Sequence, residues 1–138
     1  LPTVAMYFGL TNPKKAKQCL SKIASDRSPT DYGVRMIAND DPMYNPSGYH
    51  YGSIWPLFTG WTVLAKLKYG LREEGLKHLV NTLKLDKKFA LGYIPEVLHG
   101  ERCELAGVCP HQAWSEALAV LGMTNSDNSN ESTKSTKR

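Results

Sequence analysis

The chain lacks the long apolar runs that would indicate a membrane protein. No stretch of its 138 residues has the roughly 20 apolar residues needed to cross a bilayer, and no signal-peptide pattern opens it. These absences predict a chain that does not bind a membrane. Because it begins at Leu1 rather than Met, we expect it to be a piece of a longer protein. The compartment stays open, with the cytoplasm preferred.

Cysteine and histidine are too few and too scattered for a metal site. Three cysteines, Cys19, Cys103 and Cys109, include no CxxC pair, and the four histidines form no cluster with ligand spacing. Free thiols are the default, although Cys103 and Cys109 could close a loop in an oxidising compartment. The chain also has no phosphate loop, dinucleotide fingerprint or Ser-His-Asp arrangement. We therefore predict neither a metal nor a cofactor.

The chain has a net charge of +4, but the distribution of its basic residues does not indicate nucleic-acid binding. The lysines are spread over several predicted helices and the tail, and no basic stripe with interleaved aromatic residues occurs. Lys66 and Lys68, for example, are interpreted as surface lysines of one helix. Charge alone supports only non-specific association. We predict that the chain does not bind nucleic acid.

Apolar periodicity predicts an all-α domain. Asn12 is a typical N-cap before Pro13, and the apolar residues that follow mark one buried helix face. The helix predicted at 55–69 is apolar nearly all round, which is typical of burial on most sides. The helix predicted at 71–85 has one face exposed to water. The predicted segments are an apolar helix end in 1–10, an extended run at 32–38, and helices at 13–25, 55–69 (ended by Gly70), 71–85 and 111–123.

The last predicted helix and the residues after it differ in composition. The inner face of the helix is predicted to consist of Ala113, Trp114, Ala117, Leu118, Val120 and Leu121. Residues 124–138 include no apolar residue, so burial cannot offset the entropy of ordering them. We predict a domain at 1–123 and a disordered polar tail at 124–138.

The pairing of a buried helix with an amphipathic one indicates the architecture. A double-layered helical toroid needs this alternation, because its inner helices are covered on both sides and its outer helices face water. An ordinary helical bundle is the alternative, but bundles seldom carry loops of about 20 residues without a functional reason.

Glu96 is the candidate catalytic residue. It lies in a loop with Gly92, Tyr93 and Pro95, where an acid would be partly desolvated, as proton-transferring carboxylates often are. A second loop, SGYHYGSIWP at 47–56, offers aromatic faces and hydrogen-bonding groups that suit a sugar. Together the two loops predict a carbohydrate-cleaving site, or part of one.

Other side chains have a functional and a structural interpretation. Trp55 either stacks on a pyranose ring or begins a buried helix, and His50 is a suitable donor to sugar hydroxyls. Arg35 could hold a sugar hydroxyl or pair with Asp31. His111, at the start of the last helix, could orient Glu96 or be a structural residue.

Four motifs in order resemble the (α/α)6 six-hairpin glycosidases. The segments DYGVR (31–35), YHYGSIWP (49–56), GYIPE (92–96) and PHQAWS (110–115) are similar to motifs of the glycogen-debranching, amylo-α-1,6-glucosidase-like group. The resemblance implies an all-α fold that is a partial toroid, made of the C-terminal helical hairpins with long site-forming loops.

The resemblance also implies an activity and a division of the site. Such enzymes hydrolyse α-linked glucosides by inversion with two carboxylates, a general acid and a general base. It assigns the base to Glu96. The predicted substrate-binding residues are Arg35, His50, Tyr51, Trp55, His111 and Gln112. The general acid would come from an earlier hairpin, so the expected partners are the carbohydrate and the missing N-terminal part of the same enzyme. The alternative is a non-catalytic helical module that binds a glycan or another subunit.

Overall fold

The structure is a computed structural model that describes residues 2–23, 29–89, 92–107 and 109–135. It is mostly helical, in agreement with the all-α prediction, with one two-stranded antiparallel ribbon in which Pro29 pairs with Val34 and Thr30 with Gly33. In chain order the elements are α1 (Thr3–Tyr7), α2 (Pro13–Ile23), β1 (Pro29–Thr30), β2 (Gly33–Val34), α3 (Pro56–Lys68), α4 (Arg72–Leu83), α5 (Leu85–Lys88) and α6 (Ala113–Ser135). No helix among the described residues is long and apolar enough to cross a membrane.

The predicted start of α2 is confirmed. The Asn12 Oδ1 accepts hydrogen bonds from the backbone N–H groups of Lys14 at 3.0 Å and Lys15 at 3.3 Å, which is the geometry of an N-cap. The helix buries Ala16, Leu20 and Ile23, which belong to the predicted face. The predicted end of this helix at 24–25 lies outside the described residues.

Helix α3 is the centre of the fold. It packs against α1, α4 and α6, and its buried residues lie on several sides, as its apolar sequence predicts. Gly70 adopts φ +80° directly after it, a left-handed conformation that favours glycine and ends the helix. Helix α4 follows at once, so α3 and α4 form an antiparallel hairpin.

The prediction that Lys66 is a surface lysine is wrong. Its side chain is 0% exposed, and its Nζ lies 3.0 Å from Glu74 Oε2 and 3.1 Å from His78 Nε2, both on α4. Burial lowers the pKa of Lys66, and burial followed by the charge of Lys66 lowers the pKa of His78 to about 4. The His78 Nδ1 has no hydrogen-bond partner among the described residues. The helix is covered on this side by α4, which a single-helix pattern does not reveal.

Two glycines bring α3 and α6 into close contact. A Cβ atom at Gly60 would lie 2.5 Å from the Leu118 Cβ, and one at Gly122 would lie 3.4 Å from Val63 Cγ1. Both contacts advance in the same direction along the two helices. Helices α3 and α6 are therefore parallel, and their N-termini lie at the same end of the molecule.

The predicted inner face of α6 is wrong except for Leu118. The buried residues are Ser115, Leu118, Ala119, Gly122 and Ser126, whereas Trp114 is 45% exposed and Val120 53% exposed. Small residues allow the close approach to α3, and larger apolar side chains are left on the opposite side. We call this exposed set, Trp114, Ala117, Val120, Leu121 and Met123, the α6 apolar stripe.

Helix α6 also continues beyond its predicted end at Met123. It extends to Ser135, and 136–138 lie outside the described residues. The prediction of a disordered polar tail at 124–138 stays a prediction. A tertiary contact holds this extension to α4, because the Arg72 guanidinium donates a 2.8 Å hydrogen bond to the Ser126 carbonyl.

Isolated β-bridges join the long loops to one another. Arg35 pairs with Ile54, Ile54 with Leu98, and Leu98 with Leu105. The backbones of Ile54 and Leu98 exchange hydrogen bonds of 2.9 and 2.8 Å, and both side chains are 0% exposed. The extended run predicted at 32–38 is shorter than expected, because within it only Gly33, Val34 and Arg35 form β-pairs. The three loop segments are thus held side by side over the core.

Candidate active site

The Glu96 loop is attached to the beginning of α6. The Glu96 N–H donates to the Cys109 carbonyl at 3.1 Å, and the Gln112 N–H donates to the Ile94 carbonyl at 3.1 Å. Inside the helix, the Ser115 hydroxyl donates to the Pro95 carbonyl at 3.0 Å. These bonds fix a half-buried Glu96 at the N-terminal end of α6.

Glu96 contacts the aromatic loop directly. The Tyr49 hydroxyl donates a 2.8 Å hydrogen bond to Glu96 Oε1. This hydrogen bond is the largest cause of a raised pKa for Tyr49, so the phenol stays protonated and acts as the donor. The prediction that Glu96 lies beside the 49–56 loop is confirmed, and the prediction that the two form a catalytic site stays a prediction.

Three rings beside Glu96 pack on one another. Tyr49 packs edge-on against Trp55 and His50 at 4.6 Å between ring centroids, and His50 stacks on Trp55 at 5.1 Å. Trp55 is 5% exposed and its indole N–H donates to the Tyr49 carbonyl. The structure favours the interpretation of Trp55 as the start of a buried helix, and Tyr49 and His50 are the exposed rings of this cluster.

A second aromatic pair joins the Glu96 loop to the residues just before α6. The rings of Tyr93 and His111 stack at 4.0 Å, and Tyr93 is 45% exposed. His111 Nε2 lies 3.2 Å from Glu116 Oε1 on α6, an ion-pair distance without hydrogen-bond geometry. His111 is therefore oriented by Tyr93 and Glu116. Its predicted contact with substrate stays a prediction.

Arg35 links two loops. Its Nε donates to the Gly100 carbonyl at 2.8 Å, and its guanidinium lies 6.0 Å from the Tyr44 ring. Gly100 is closely packed, because a Cβ there would lie within 2.3 Å of the Gly52 carbonyl oxygen. The structure gives Arg35 a role in holding these loops together, and its predicted role in holding a sugar hydroxyl stays a prediction.

The remaining predicted site residues lie on the same loops. Tyr51 is 51% exposed, two positions after Tyr49, and Gln112 is half-buried at the start of α6. Their predicted substrate contacts stay predictions. Tyr49 and Tyr93 were not among the predicted site residues. The signal for Tyr49 was its place as the first residue of the YHYGSIWP motif, which does not indicate where its hydroxyl points.

The electrostatics of this end suit an anionic catalytic group. The N-termini of α3 and α6 both lie here, and a helix N-terminus carries partial positive charge. The first turn of α3 has no side-chain cap. Among the described residues no group of three or more His, Cys, Asp or Glu side chains could hold a metal ion, and the three cysteines are free thiols.

Comparison with known protein families adds one finding. The family model described as amylo-alpha-1,6-glucosidase matches residues 2–121 of the chain. This range includes α1 to α5, the beginning of α6 and every residue of the candidate site. No match to a curated protein sequence was found.

Proposed function

The chain belongs to the amylo-alpha-1,6-glucosidase family, and on this premise we propose that it forms part of an inverting glycoside hydrolase acting on α-linked glucosides. Glu96 is the general base in this proposal. The observation that carries it is the Glu96 carboxylate, half-buried between an aromatic loop and the N-terminus of α6, with its Oε1 engaged by Tyr49.

The chemistry follows from two carboxyl groups on opposite faces of the sugar. Glu96 removes a proton from a water molecule, whose oxygen attacks the anomeric carbon as the glycosidic C–O bond breaks. A carboxylic acid on the other face protonates the departing oxygen. In inverting enzymes the two carboxyl groups stand about 6.5–9.5 Å apart, which leaves room for the water.

The general acid is proposed to come from outside this chain, from an earlier helical hairpin of a partial (α/α)6 toroid. Two observations support this arrangement. Helices α3 and α6 are parallel while α4 is antiparallel to α3, as alternating inner and outer helices require. The α6 apolar stripe is a surface that another helix of the same protein would cover.

Exposed aromatic groups on the loops around Glu96 are proposed to contact the carbohydrate. Tyr51 and the Tyr93–His111 pair present ring faces of the kind that stack on pyranose rings, and His50 and Gln112 offer hydrogen-bonding groups. The substrate class is an α-glucosidic linkage on a glucan.

The test replaces Glu96 with Gln in the whole protein that contains this chain. Gln keeps the size of Glu but cannot accept a proton, so kcat on an α-1,6-glucosylated maltooligosaccharide should fall about 10²–10⁴-fold with KM nearly unchanged. Proton NMR should show β-glucose as the first product of the unmodified protein.

Glu104→Gln is the matched control, because Glu104 is an exposed carboxylate in the following turn. It should leave kcat within about twofold. A Glu96→Gln loss smaller than tenfold, about 1.4 kcal/mol of barrier, would refute the base assignment and favour the non-catalytic glycan-binding or subunit-interaction module.

A further inference from the structure

We propose that Tyr49 is the positioning residue of the general base, and that its hydroxyl determines which oxygen of Glu96 receives the proton. The proposal rests on the function proposed above for Glu96. Its geometric basis is the 2.8 Å hydrogen bond from the Tyr49 hydroxyl to Glu96 Oε1, between residues 47 positions apart.

Tyr49 is itself held in place by buried groups. Its carbonyl accepts hydrogen bonds from the Trp55 indole N–H at 2.8 Å and from the Ser53 hydroxyl. Ser53 is 0% exposed and Trp55 5% exposed at the start of α3, and the Trp55 ring supports the Tyr49 ring. The hydroxyl therefore projects from a fixed support, although the ring is 42% exposed.

The hydrogen bond restricts the Glu96 carboxylate. Without a donor, a carboxylate rotates about its last side-chain bond, and its two oxygens exchange places. With Oε1 engaged by Tyr49, Oε2 accepts no hydrogen bond from the described residues and can face the attacking water. A misplacement of about 1 Å at a reacting group can cost about 10²-fold in rate, so fixing the direction of Oε2 is a substantial contribution.

Tyr49→Phe in the whole protein tests this role, because Phe keeps the ring packing and removes only the donor. We expect kcat on the α-1,6-glucosylated maltooligosaccharide to fall about 10–100-fold, with KM within about twofold. Tyr44→Phe is the matched control, since the Tyr44 hydroxyl lies 3.4 Å from the Glu101 carboxylate and it should change kcat less than about twofold.

A double-mutant cycle with Glu96→Gln shows whether Tyr49 acts through Glu96. In the Glu96→Gln background, adding Tyr49→Phe should lower kcat further by less than about twofold. Effects that multiply would overturn the proposal, because Tyr49 would then act independently of the base. A large loss for Glu96→Gln with less than threefold for Tyr49→Phe would overturn this inference and leave the function standing. A Glu96→Gln loss below tenfold would overturn both.

Azide provides a readout that does not depend on a base. In Glu96→Ala, azide attacks the anomeric carbon while the glycosidic oxygen leaves with a proton from the general acid, and β-glucosyl azide forms. The rate of this reaction should be the same with Tyr or Phe at position 49. A slower azide reaction with Phe would show that Tyr49 supports the fold or the sugar rather than Glu96, and would overturn the proposal.

Discussion

Gly60 is predicted to be the most sensitive position of the helix interface that carries the candidate site. Adding a methyl group by Gly60→Ala places a Cβ 2.5 Å from the Leu118 Cβ, whereas carbon atoms pack at about 3.5–4.0 Å. The two helices must therefore separate locally by roughly 1 Å. Overpacking of this kind costs about 1–3 kcal/mol, and the better helix propensity of Ala returns up to about 1 kcal/mol. We expect a net loss of up to about 2 kcal/mol in the free energy of unfolding.

Gly122→Ala is the matched control at the same interface. Its Cβ would lie 3.1 Å from Leu79 Cδ1 and 3.4 Å from Val63 Cγ1, which are the ends of side chains that can move. The gain in helix propensity is the same, so this variant should be neutral or up to about 1 kcal/mol more stable. The measurement is denaturant unfolding of the whole protein, followed by helix circular dichroism and by activity.

The Gly60→Ala variant should also lose activity. The beginning of α6 is bonded to the Glu96 loop through Ser115 and Gln112, so a displaced helix moves Glu96, the proposed base. A loss of kcat up to about 10²-fold is expected, with little effect for Gly122→Ala. Equal stability and equal kcat for the two variants would refute this explanation, in which α3 positions α6 and α6 positions the Glu96 loop.

Two further predictions concern the α3–α4 hairpin and the α6 apolar stripe. Burial lowers the pKa of His78 to about 4, so between pH 6.5 and 4 the unfolded chain takes up a proton that the folded chain does not, and stability should fall by up to about 3 kcal/mol as the pH falls. Urea unfolding measured across this range should show the loss, and His78→Gln should remove it; an unchanged pH dependence would contradict the cause. Val120→Glu should lower the thermal midpoint of the whole protein, because a charge would enter the surface that covers the stripe. Lys77→Glu, on the exposed side of α4, is its control, and equal midpoints would mean that the stripe stays uncovered.

Local features of this fold could be predicted from sequence, and features that depend on neighbours could not. The N-cap at Asn12 and the helix end at Gly70 need only adjacent residues, and both were predicted. The burial of Lys66 depends on Glu74 and His78 across the hairpin, which the pattern of α3 alone does not contain. The prediction that Lys66 lies on the surface was based on residue type alone, and the packing of α4 on α3 made it wrong.

The face of α6 was mispredicted for a related reason. Apolar periodicity shows which residues avoid water, but not which of two apolar faces is covered within this chain. Leu118 and Gly122 pack on α3, Ser115 bonds the Pro95 carbonyl, and Trp114 and Val120 are left exposed.

In the candidate site, the residues could be located from sequence motifs, but the direction of one side chain could not be predicted. Motif order located Glu96 and the 49–56 loop, and their contact followed from the expected fold. The donor to Glu96 could not be selected, because neighbouring tyrosines of one loop have the same sequence signal and only the loop conformation directs the Tyr49 hydroxyl towards it.

The bridges at Arg35, Ile54, Leu98 and Leu105 have a consequence for protein engineering. These bridges join three loop segments, which contain Arg35, Ile54 and the pair Leu98 and Leu105. Replacing one segment with that of a related protein would leave unpaired backbone groups on the segment beside it. Specificity should therefore be transferred between relatives by grafting all three segments together as one cassette. Single-loop chimaeras should fold poorly even when the exchanged loop is otherwise suitable.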